Sequence, residues 1–244
     1  MAKADPSQRY ALFIDEINRG NIAKNFGELI TLIEDDKRCV YDSEGRLKYG
    51  LEVTLPYSGD HFGVPANLDI YGTMNTADRS IALLDVALRR RFRFQEMPPK
   101  PEIITGTQGD GKISDGEGGS FDLRALLEIL NRRLLLLRDR DHLLGHSYLM
   151  KCQNLEDVRT ALRDQILPLL QEYFYEDFGR IQRVLGDIKA DNSEHENAII
   201  KSEPLSAREL LGGDEDESLK GKKSYRVTDS SLWSPTVLKR IYGG

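Results

Sequence analysis

The chain has 244 residues, of which 39% are hydrophobic and 30% charged, with a formal net charge of −6 and an isoelectric point near 5.4. This composition predicts a globular protein of one or two domains, and it argues against extensive disorder and a general nucleic-acid-coating role. The sequence has two cysteines, and it has neither an apolar run of the roughly 20 residues that span a bilayer nor a signal-peptide pattern. These features predict a soluble cytoplasmic protein without a disulfide framework or membrane partner.

The N-terminal part alternates apolar runs with helical patterns, which predicts an α/β sheet. Tyr10 to Ile14 are continuously apolar, as in a strand covered on both faces of a parallel sheet. Apolar residues at helical spacing predict a helix from about Asn21 to Glu34. The alternation from Val40 to Leu55, which is broken around Gly45, predicts a hairpin.

Two further strands and a helix complete this part of the pattern. Asn67 to Met74 is predicted to be a second buried strand. Ser80 is a suitable N-cap for a helix that turns Ile81, Leu84 and Leu88 inward. Phe92 to Met97 is predicted to be a third strand, which ends at the prolines that follow.

The C-terminal part is predicted to be mainly helical. Six glycines lie between residues 106 and 120, so this segment is predicted to be a flexible linker or loop. Residues 190–224 are polar and are predicted to be mostly loop. Helical patterns cover residues 121–137, 155–165, 168–174, with Pro168 in the first turn, and 178–185, with Gly186 as C-cap; a last short element is expected at 237–241.

These patterns predict four parts in the chain. A partial α/β core spans residues 1–105, the glycine-rich linker 106–120, a helical lid 121–190 and a C-terminal extension 191–244. An α/β piece followed by helices is typical of a nucleotide-binding core with a lid.

The first predicted strand delivers two acids to its carboxyl end, where α/β sheets hold their ligands. Leu12-Phe13-Ile14-Asp15-Glu16 has the form of a Walker B motif. Asp15 could hold Mg²⁺ through water, because Mg²⁺ prefers hard oxygen ligands and keeps much of its hydration. Glu16 could orient and deprotonate an attacking water. The alternative is an acidic loop that simply follows a buried strand.

The second predicted strand ends in the string Met74-Asn75-Thr76-Ala77-Asp78-Arg79-Ser80. The neutral amide of Asn75 could hydrogen-bond the water or a γ-phosphate without adding charge, which is the sensor 1 role. The alternative is a polar turn in which Asn75 and Asp78 cap the next helix.

Four arginines follow within five positions, at residues 89, 90, 91 and 93. An arginine presented to the nucleotide of a neighbouring subunit would stabilise the charge of the transition state. The alternatives are a solvated helix end and a contact with DNA phosphates.

An acidic strand end, an amide strand end and an arginine run follow one another in the order of an AAA+ core after its P-loop. Five longer strings are more specific, and they resemble the McrB family of AAA+ GTPases from about Arg9 to Asp187. They are Phe13-Ile14-Asp15-Glu16-Ile17-Asn18-Arg19-Gly20-Asn21, Gly72-Thr73-Met74-Asn75-Thr76-Ala77-Asp78-Arg79-Ser80, Leu84-Asp85-Val86-Ala87-Leu88-Arg89-Arg90-Arg91-Phe92, Gly145-His146-Ser147-Tyr148 and Ile166-Leu167-Pro168-Leu169-Leu170-Gln171-Glu172-Tyr173-Phe174.

The resemblance implies a partial AAA+ fold, with a parallel α/β sheet core followed by an α-helical lid. It implies the motor subunit of a modification-dependent DNA restriction system, which forms homo-oligomeric, hexameric rings and hydrolyses GTP with Mg²⁺. The sequence leaves GTP and ATP both open. An McrC-like endonuclease is the implied protein partner, and DNA is contacted indirectly.

The resemblance also implies roles for the residues of the predicted site. Asp15 and Glu16 would be the magnesium-site acid and the catalytic base. Asn75, Asp78 and Arg79 would form the loop that positions the attacking water.

Four charged residues are implied to connect the nucleotide with neighbouring subunits. Arg90 and Arg91 are the candidates for acting across a subunit interface. Arg19 would couple subunits from the nucleotide-binding side, and Asp85 would hold an arginine in place there.

The complete P-loop pattern, Gly-x-x-x-x-Gly-Lys-[Ser/Thr], does not occur in the sequence. The segment from Gly109 to Ser114 has only a passing likeness to it, and no buried strand precedes that segment. We therefore expect no hydrolysis by this chain alone. Either a P-loop-containing partner half completes the sheet, or the third strand closes onto the second, or the chain is a truncated gene product. The alternatives are a non-catalytic subunit that docks on an AAA+ ring or an McrC-like nuclease, and a MoxR-like ATPase.

Overall fold

The computed structural model describes residues 1–19, 27–75, 86–206, 210, 212 and 220–243. The chain divides into two compact units, Met1–Glu96 and Met97–Gly244, which we call the first and the second unit. Among the described residues, no helix combines the length and the apolar character needed to cross a membrane.

The first unit is organised on a two-stranded parallel sheet. Its strands β1 to β6 are Tyr10–Ile14, Val40–Tyr41, Leu47–Tyr49, Val53–Thr54, His61–Phe62 and Leu68–Gly72. β1 and β6 pair in parallel, in a register that aligns Tyr10 with Leu68 and Ile14 with Gly72. The two strands predicted from the apolar runs are therefore present, and their carboxyl ends meet at one edge of the sheet.

The burial of these two strands differs from the prediction. Phe13 is 73% exposed and Tyr71 52% exposed, and their rings stack with centroids 5.1 Å apart on one open face. An apolar run shows that a strand has apolar sides, whereas its burial depends on the elements that cover them. The prediction that both faces of β1 are covered is therefore wrong for the described residues.

The opposite face of the two strands contacts a small apolar core. The 3-10 helix Gly27–Ile33 supplies three of its five buried residues, which are Ile17, Ile30, Leu32, Ile33 and Val64. Arg38 ties this helix to β6, because its Nε donates to the Ile33 carbonyl at 3.0 Å and its Nη1 to the Leu68 carbonyl at 2.7 Å. The helix predicted from about Asn21 thus appears as a 3-10 helix in its second half, and residues 20–26 lie outside the described ranges.

Two short antiparallel hairpins lie between β1 and β6. β2 pairs with β3 around the turn that contains Gly45, which confirms the predicted hairpin. β4 pairs with β5 in a second hairpin, which the sequence pattern did not separate from the first.

A short helix ends the arginine-rich part of the first unit. This helix, α1, spans Val86–Arg91, whereas the predicted helix start at Ser80 lies outside the described residues. The predicted third strand, Phe92 to Met97, is wrong, because residues 93–100 form neither a helix nor a strand. An extended segment becomes a strand only where a neighbour completes its ladder, and Phe92 instead packs on the small core.

The second unit is built around one large apolar core. Helix α2 supplies five leucines at helical spacing, all fully buried: Leu123, Leu126, Leu127, Leu130 and Leu134. The strands of this unit are β7 (Lys112–Ser114), β8 (Ser120–Asp122), β9 (Ile200–Pro204) and β10 (Lys223–Val227), and its helices are α2 (Leu123–Leu137), α3 (Leu155–Ala161), α4 (Leu167–Tyr173), α5 (Phe178–Leu185) and α6 (Pro235–Gly243).

Local signals at the helix ends explain where these helices begin and end. Asp122 caps α2 by accepting a hydrogen bond from the Ala125 N–H at 3.0 Å. Pro168 lies in the first turn of α4, as predicted, and a π-helical turn at Leu162–Ile166 joins α4 to α3. Gly186 ends α5 with φ 72°, in the left-handed region that favours glycine.

The glycine-rich segment is a folded hairpin. β7 and β8 pair across it, and Ile113 and Phe121 are fully buried in the large core. The prediction of a flexible linker at residues 106–120 is therefore wrong, because the glycines permit tight turns between strands that are anchored by apolar residues. The segment is no P-loop either: Gly106 stands at the correct spacing before Gly111, but a strand follows instead of a helix and Ile113 replaces the Ser or Thr.

The residues beyond the helical lid also belong to the large core. β9 pairs with β10 in an antiparallel hairpin, and Ile200 is fully buried, so the segment 190–224, which was predicted to be mostly loop, also contains strand residues that the sequence did not indicate. Helix α6 confirms the element expected at residues 237–241. Trp233 is 1% exposed, and its Nε1–H donates to Thr228 Oγ1 at 2.9 Å, so this side chain is part of the large core.

Candidate functional site

The parallel register of β1 and β6 assembles the candidate site. Because Ile14 is aligned with Gly72, the next residues along each strand, Asp15 and Thr73, are neighbours at the carboxyl edge of the sheet. The backbone continues the pairing there, since the Thr73 N–H donates to the Ile14 carbonyl at 3.0 Å and the Ile17 N–H to the Thr73 carbonyl at 2.9 Å. The edge of a parallel sheet beyond its carboxyl ends is where α/β proteins bind ligands.

Thr73 connects the two acids that follow β1. Its hydroxyl donates a short hydrogen bond to Asp15 Oδ1. The Thr73 hydroxyl oxygen also accepts a hydrogen bond from the backbone N–H of Glu16 at 3.0 Å. Sequence reasoning missed this residue, although Thr73 stands two positions before Asn75 in the string that carries the family resemblance and is the register partner of Asp15.

Glu16 adopts a backbone conformation that is uncommon for its residue type. Its φ is 50°, in the left-handed region, which costs free energy for a residue with a Cβ. Its carboxylate Oε2 pairs with Arg19 Nε at 2.7 Å, and both side chains are largely exposed. An exposed ion pair of this kind contributes only about 0–1 kcal/mol, so it holds the carboxylate without locking it.

Close packing fixes the loop behind the acids. Ile17 is 8% exposed, and its side chain lies against the backbone of Gly72. A Cβ at position 72 would meet Ile17 Cδ1 at 2.9 Å, so a larger residue there would force the Ile17 side chain to shift. Asn18 adds a contact with the segment that follows β6, since its Nδ2 donates to the Asn75 carbonyl at 3.4 Å. Asn75 itself is exposed at the same edge as the acids.

The two candidate arginines of α1 have different surroundings. Arg90 is exposed. The Arg91 side chain is only 15% exposed, and its Nη2 forms a short ion pair with Glu34, which follows the 3-10 helix of the small core. Arg91 thus ties α1 to the first unit, whereas Arg90 points to solvent. This difference between Arg90 and Arg91 could not be predicted from the sequence, because Glu34, the partner of Arg91, lies more than fifty positions earlier.

Three predicted site residues lie outside the described ranges: Asp78, Arg79 and Asp85. The site as described therefore brings together Asp15, Glu16, Arg19 and Asn75.

The histidines of the chain serve no metal centre among the described residues, where no group of three His, Cys, Asp or Glu side chains could hold an ion. His146 Nδ1 accepts a hydrogen bond from the Lys100 N–H at 3.1 Å, so this ring is held by a contact within the second unit. Cys39 and Cys152 are both buried free thiols, as expected of a chain without a disulfide framework. Burial raises the pKa of the Cys152 thiol to about 11, so it stays protonated near neutral pH.

The donor set at the sheet edge fits a magnesium ion that takes few protein ligands. Asp15 offers a carboxylate whose Oδ1 is hydrogen-bonded, and its Oδ2 makes no hydrogen bond within the described part of the chain. Mg²⁺ in nucleotide sites is typically held by one or two carboxylates, with water and phosphate oxygens as its other ligands.

Two family models match the chain, one in each unit. An AAA domain of the dynein-related subfamily matches residues 3–92. The McrB alpha-helical lid domain matches residues 122–182.

Two curated proteins are similar to more than half of the chain. The Type IV methyl-directed restriction enzyme EcoKMcrB subunit of Escherichia coli (strain K12) is 36% identical over 206 residues, which cover 76% of this chain and 42% of that protein. The Type II restriction enzyme BsuMI component YdiS of Bacillus subtilis (strain 168) is 28% identical over 152 residues, which cover 59% of this chain and 43% of that protein. The chain thus spans less than half the length of either relative.

Proposed function

The chain belongs to the McrB-like AAA proteins, and on this basis we propose that it forms part of a nucleotide-hydrolysing motor in a DNA restriction system. In this proposal it contributes the Walker B acids, the sensor amide, an arginine and the lid. The observation that supports it most directly is the register of β1 and β6, which brings Asp15 and Glu16 to the sheet edge that also carries Asn75. The restriction role is inferred from the two relatives, which are both components of restriction enzymes.

Each residue of the site has a distinct task in the proposed hydrolysis of GTP or ATP. A bound Mg²⁺ would supply charge neutralisation at the phosphates, and the Asp15 carboxylate would hold its water ligands. The Glu16 carboxylate would accept the proton of the attacking water. The Asn75 side-chain amide would orient that water or the γ-phosphate, and Asp78 and Arg79 would complete the loop.

Glu16 is paired with Arg19 in this structure, so the base must exchange one partner for another. The pair is exposed and therefore weak, which allows the exchange at a cost of about 1 kcal/mol or less. Arg19 would then be free to contact an anion of the nucleotide or of a neighbouring subunit, and Asp85 would steady an arginine nearby.

Arg90 is the proposed residue for action across a subunit interface. It is exposed, whereas Arg91 is engaged by Glu34 within the same unit. Arg91 would therefore position α1, and Arg90 would reach the neighbour's nucleotide in a homo-oligomeric, hexameric ring.

Residues outside this sequence must provide the P-loop in the proposed motor. The open face of β1 and β6, with Phe13 and Tyr71 exposed, supports a contact with further sheet elements of the AAA module. We propose an McrC-like endonuclease as the partner that cuts DNA, in the cytoplasm where that DNA is accessible.

The first test measures Mg²⁺-dependent GTP and ATP hydrolysis by this chain alone and with a P-loop-bearing half. Activity is expected only in the combined sample, and Glu16→Gln should lower kcat by about a hundredfold or more because the water loses its base. Glu44→Gln, an exposed glutamate on the β2–β3 turn, is the matched control and should leave the rate unchanged. If the two halves associate but stay inactive, the chain is a non-catalytic docking subunit and the motor proposal fails.

A mixing experiment tests Arg90. Rings that contain only Arg90→Ala or only Glu16→Gln should be inactive, whereas mixed rings should recover part of the activity, because some interfaces then join an intact Glu16 to an intact Arg90. Arg89→Ala, which changes the neighbouring exposed arginine, serves as the control. If the mixed rings recover no activity, Arg90 acts in the site of its own subunit.

A further inference from the structure

A single hydroxyl group contacts both acids of the candidate site. Thr73 Oγ1 donates to Asp15 Oδ1 and accepts the Glu16 N–H at 3.0 Å. A threonine hydroxyl has one hydrogen to donate and two lone pairs to accept, so it can make both bonds at once. No other side chain in the described residues is hydrogen-bonded to Asp15 and to the backbone of Glu16 together.

The position of Thr73 follows from the parallel register of the sheet. β6 ends at Gly72, and the next residue lies beside the first residue after β1. Thr73 is exposed and does not belong to the small apolar core. Its side chain therefore has little to contribute through packing, and its two hydrogen bonds are its main contacts.

The backbone of Glu16 gives the second hydrogen bond a clear purpose. At φ 50° the residue lies in a conformation that is stable only when its surroundings hold it. The bond from the Glu16 N–H to Thr73 fixes one side of this peptide, and the bond from the Arg19 N–H to the Glu16 carbonyl at 2.9 Å fixes the other. The direction in which the Glu16 side chain leaves the backbone thus depends on Thr73.

We propose that Thr73 is a positioning residue for the hydrolysis, acting through Asp15 and Glu16. By donating to Oδ1 it leaves Oδ2 of Asp15 available to the water ligands of a magnesium ion, and by accepting from the Glu16 N–H it orients the residue that would act as the base. This proposal rests on the proposed function, and it concerns a residue that is neither an acid nor part of the sensor amide.

The test uses this chain combined with its P-loop-bearing half and compares two variants at position 73 with the wild type. Thr73→Val keeps the shape and removes the hydroxyl, and Thr73→Ser keeps the hydroxyl. We expect Thr73→Val to lower kcat about tenfold, the effect of losing a hydrogen bond to a charged group, and to raise severalfold the Mg²⁺ concentration for half-maximal rate. The nucleotide KM at saturating Mg²⁺ should change less than twofold, and Thr73→Ser should remain within about threefold of the wild type.

Two controls separate positioning from folding. Thr54→Val, on the exposed side of β4, should leave both constants unchanged. Thermal unfolding of each variant reports whether the first unit is intact, and Thr73→Ala replaces Thr73→Val if the latter does not fold.

The outcomes distinguish the two proposals. A wild-type mixture that associates without hydrolysing overturns the proposed function, and the role of Thr73 with it. An active wild type with an unchanged Thr73→Val, or with Thr73→Ser as impaired as Thr73→Val, overturns the role of Thr73 alone. A loss that appears only as a higher nucleotide KM overturns it as well, because positioning of the acids acts on kcat and on the Mg²⁺ requirement.

Discussion

The two units of this chain are stabilised to very different degrees by their own residues. Among the described residues, the core of the first unit has five buried apolar side chains, and that of the second unit has twenty-eight. The first unit also leaves a stacked aromatic pair exposed on its sheet, whereas the second unit fully buries two aromatic side chains, Phe121 and Trp233. The candidate site thus lies on the unit that has the smaller core, and we propose that assembly with further elements completes both this core and the site.

The largest expected effect concerns the second unit. Trp233→Ala should destabilise the chain by about 3–5 kcal/mol, because it opens a large cavity in the core and removes the hydrogen bond to Thr228. Urea unfolding followed by circular dichroism measures the change. Leu232→Ala is the neighbouring control, since Leu232 is 66% exposed and should cost less than about 0.5 kcal/mol. Equal effects of the two variants would show that residues beyond 182 are not part of the core.

Hydrogen exchange on the intact chain compares the units directly. Amides of the β1–β6 ladder should exchange at least about a hundredfold faster than those in the middle of α2, because local opening of the first unit exposes less apolar surface. Mass spectrometry of peptides from each region measures the rates. Similar protection in both regions would contradict the comparison.

Acid should weaken one tie within the second unit. Lys239 donates to Asp115 at 2.5 Å, and the Glu117 and Gly119 N–H groups donate to it as well, which lowers the pKa of Asp115 to about 2. A lowered pKa stabilises the fold above the ordinary carboxyl pKa near 4, and this stabilisation is lost as the pH falls towards 2.

Asp115→Asn should therefore lower the melting temperature by a few degrees at pH 6, and the difference from the wild type should shrink between pH 4 and pH 2. Glu102→Gln, which changes an exposed carboxylate of the same unit, is the control. A difference that is constant from pH 6 to pH 2 would exclude this ion pair as the cause.

The smallest effect is expected on the open face of the first unit. Phe13→Ser should change the stability of the chain alone by no more than about 0.5 kcal/mol, because the ring is 73% exposed. The same variant should weaken association with the P-loop-bearing half, as measured by analytical ultracentrifugation. A strong destabilisation of the chain by itself would mean that the face is covered within the chain.

Local chemistry made part of the fold predictable. The continuous apolar run of β1, the leucine spacing of α2 and the glycine that ends α5 each act over a few residues, so their elements were found from the sequence. The prediction of a third strand at Phe92–Met97 was wrong, because a strand also needs a neighbouring strand to complete its ladder, and the local pattern does not report this. The glycine-rich segment was mistaken for a linker, since its anchors Ile113 and Phe121 are too few to stand out.

The sequence by itself determined the two acids after a strand, the amide after another strand, the arginine run and the resemblance that joins them. Only the tertiary structure decided that Thr73 bonds to both acids, that Glu16 rests against Arg19, and that Arg91 pairs with Glu34 while Arg90 stays exposed. The reason is physical: a strand end or a helix face is encoded by neighbours along the chain. The partner of a hydroxyl or a guanidinium instead depends on strand register and packing between residues that are far apart in sequence.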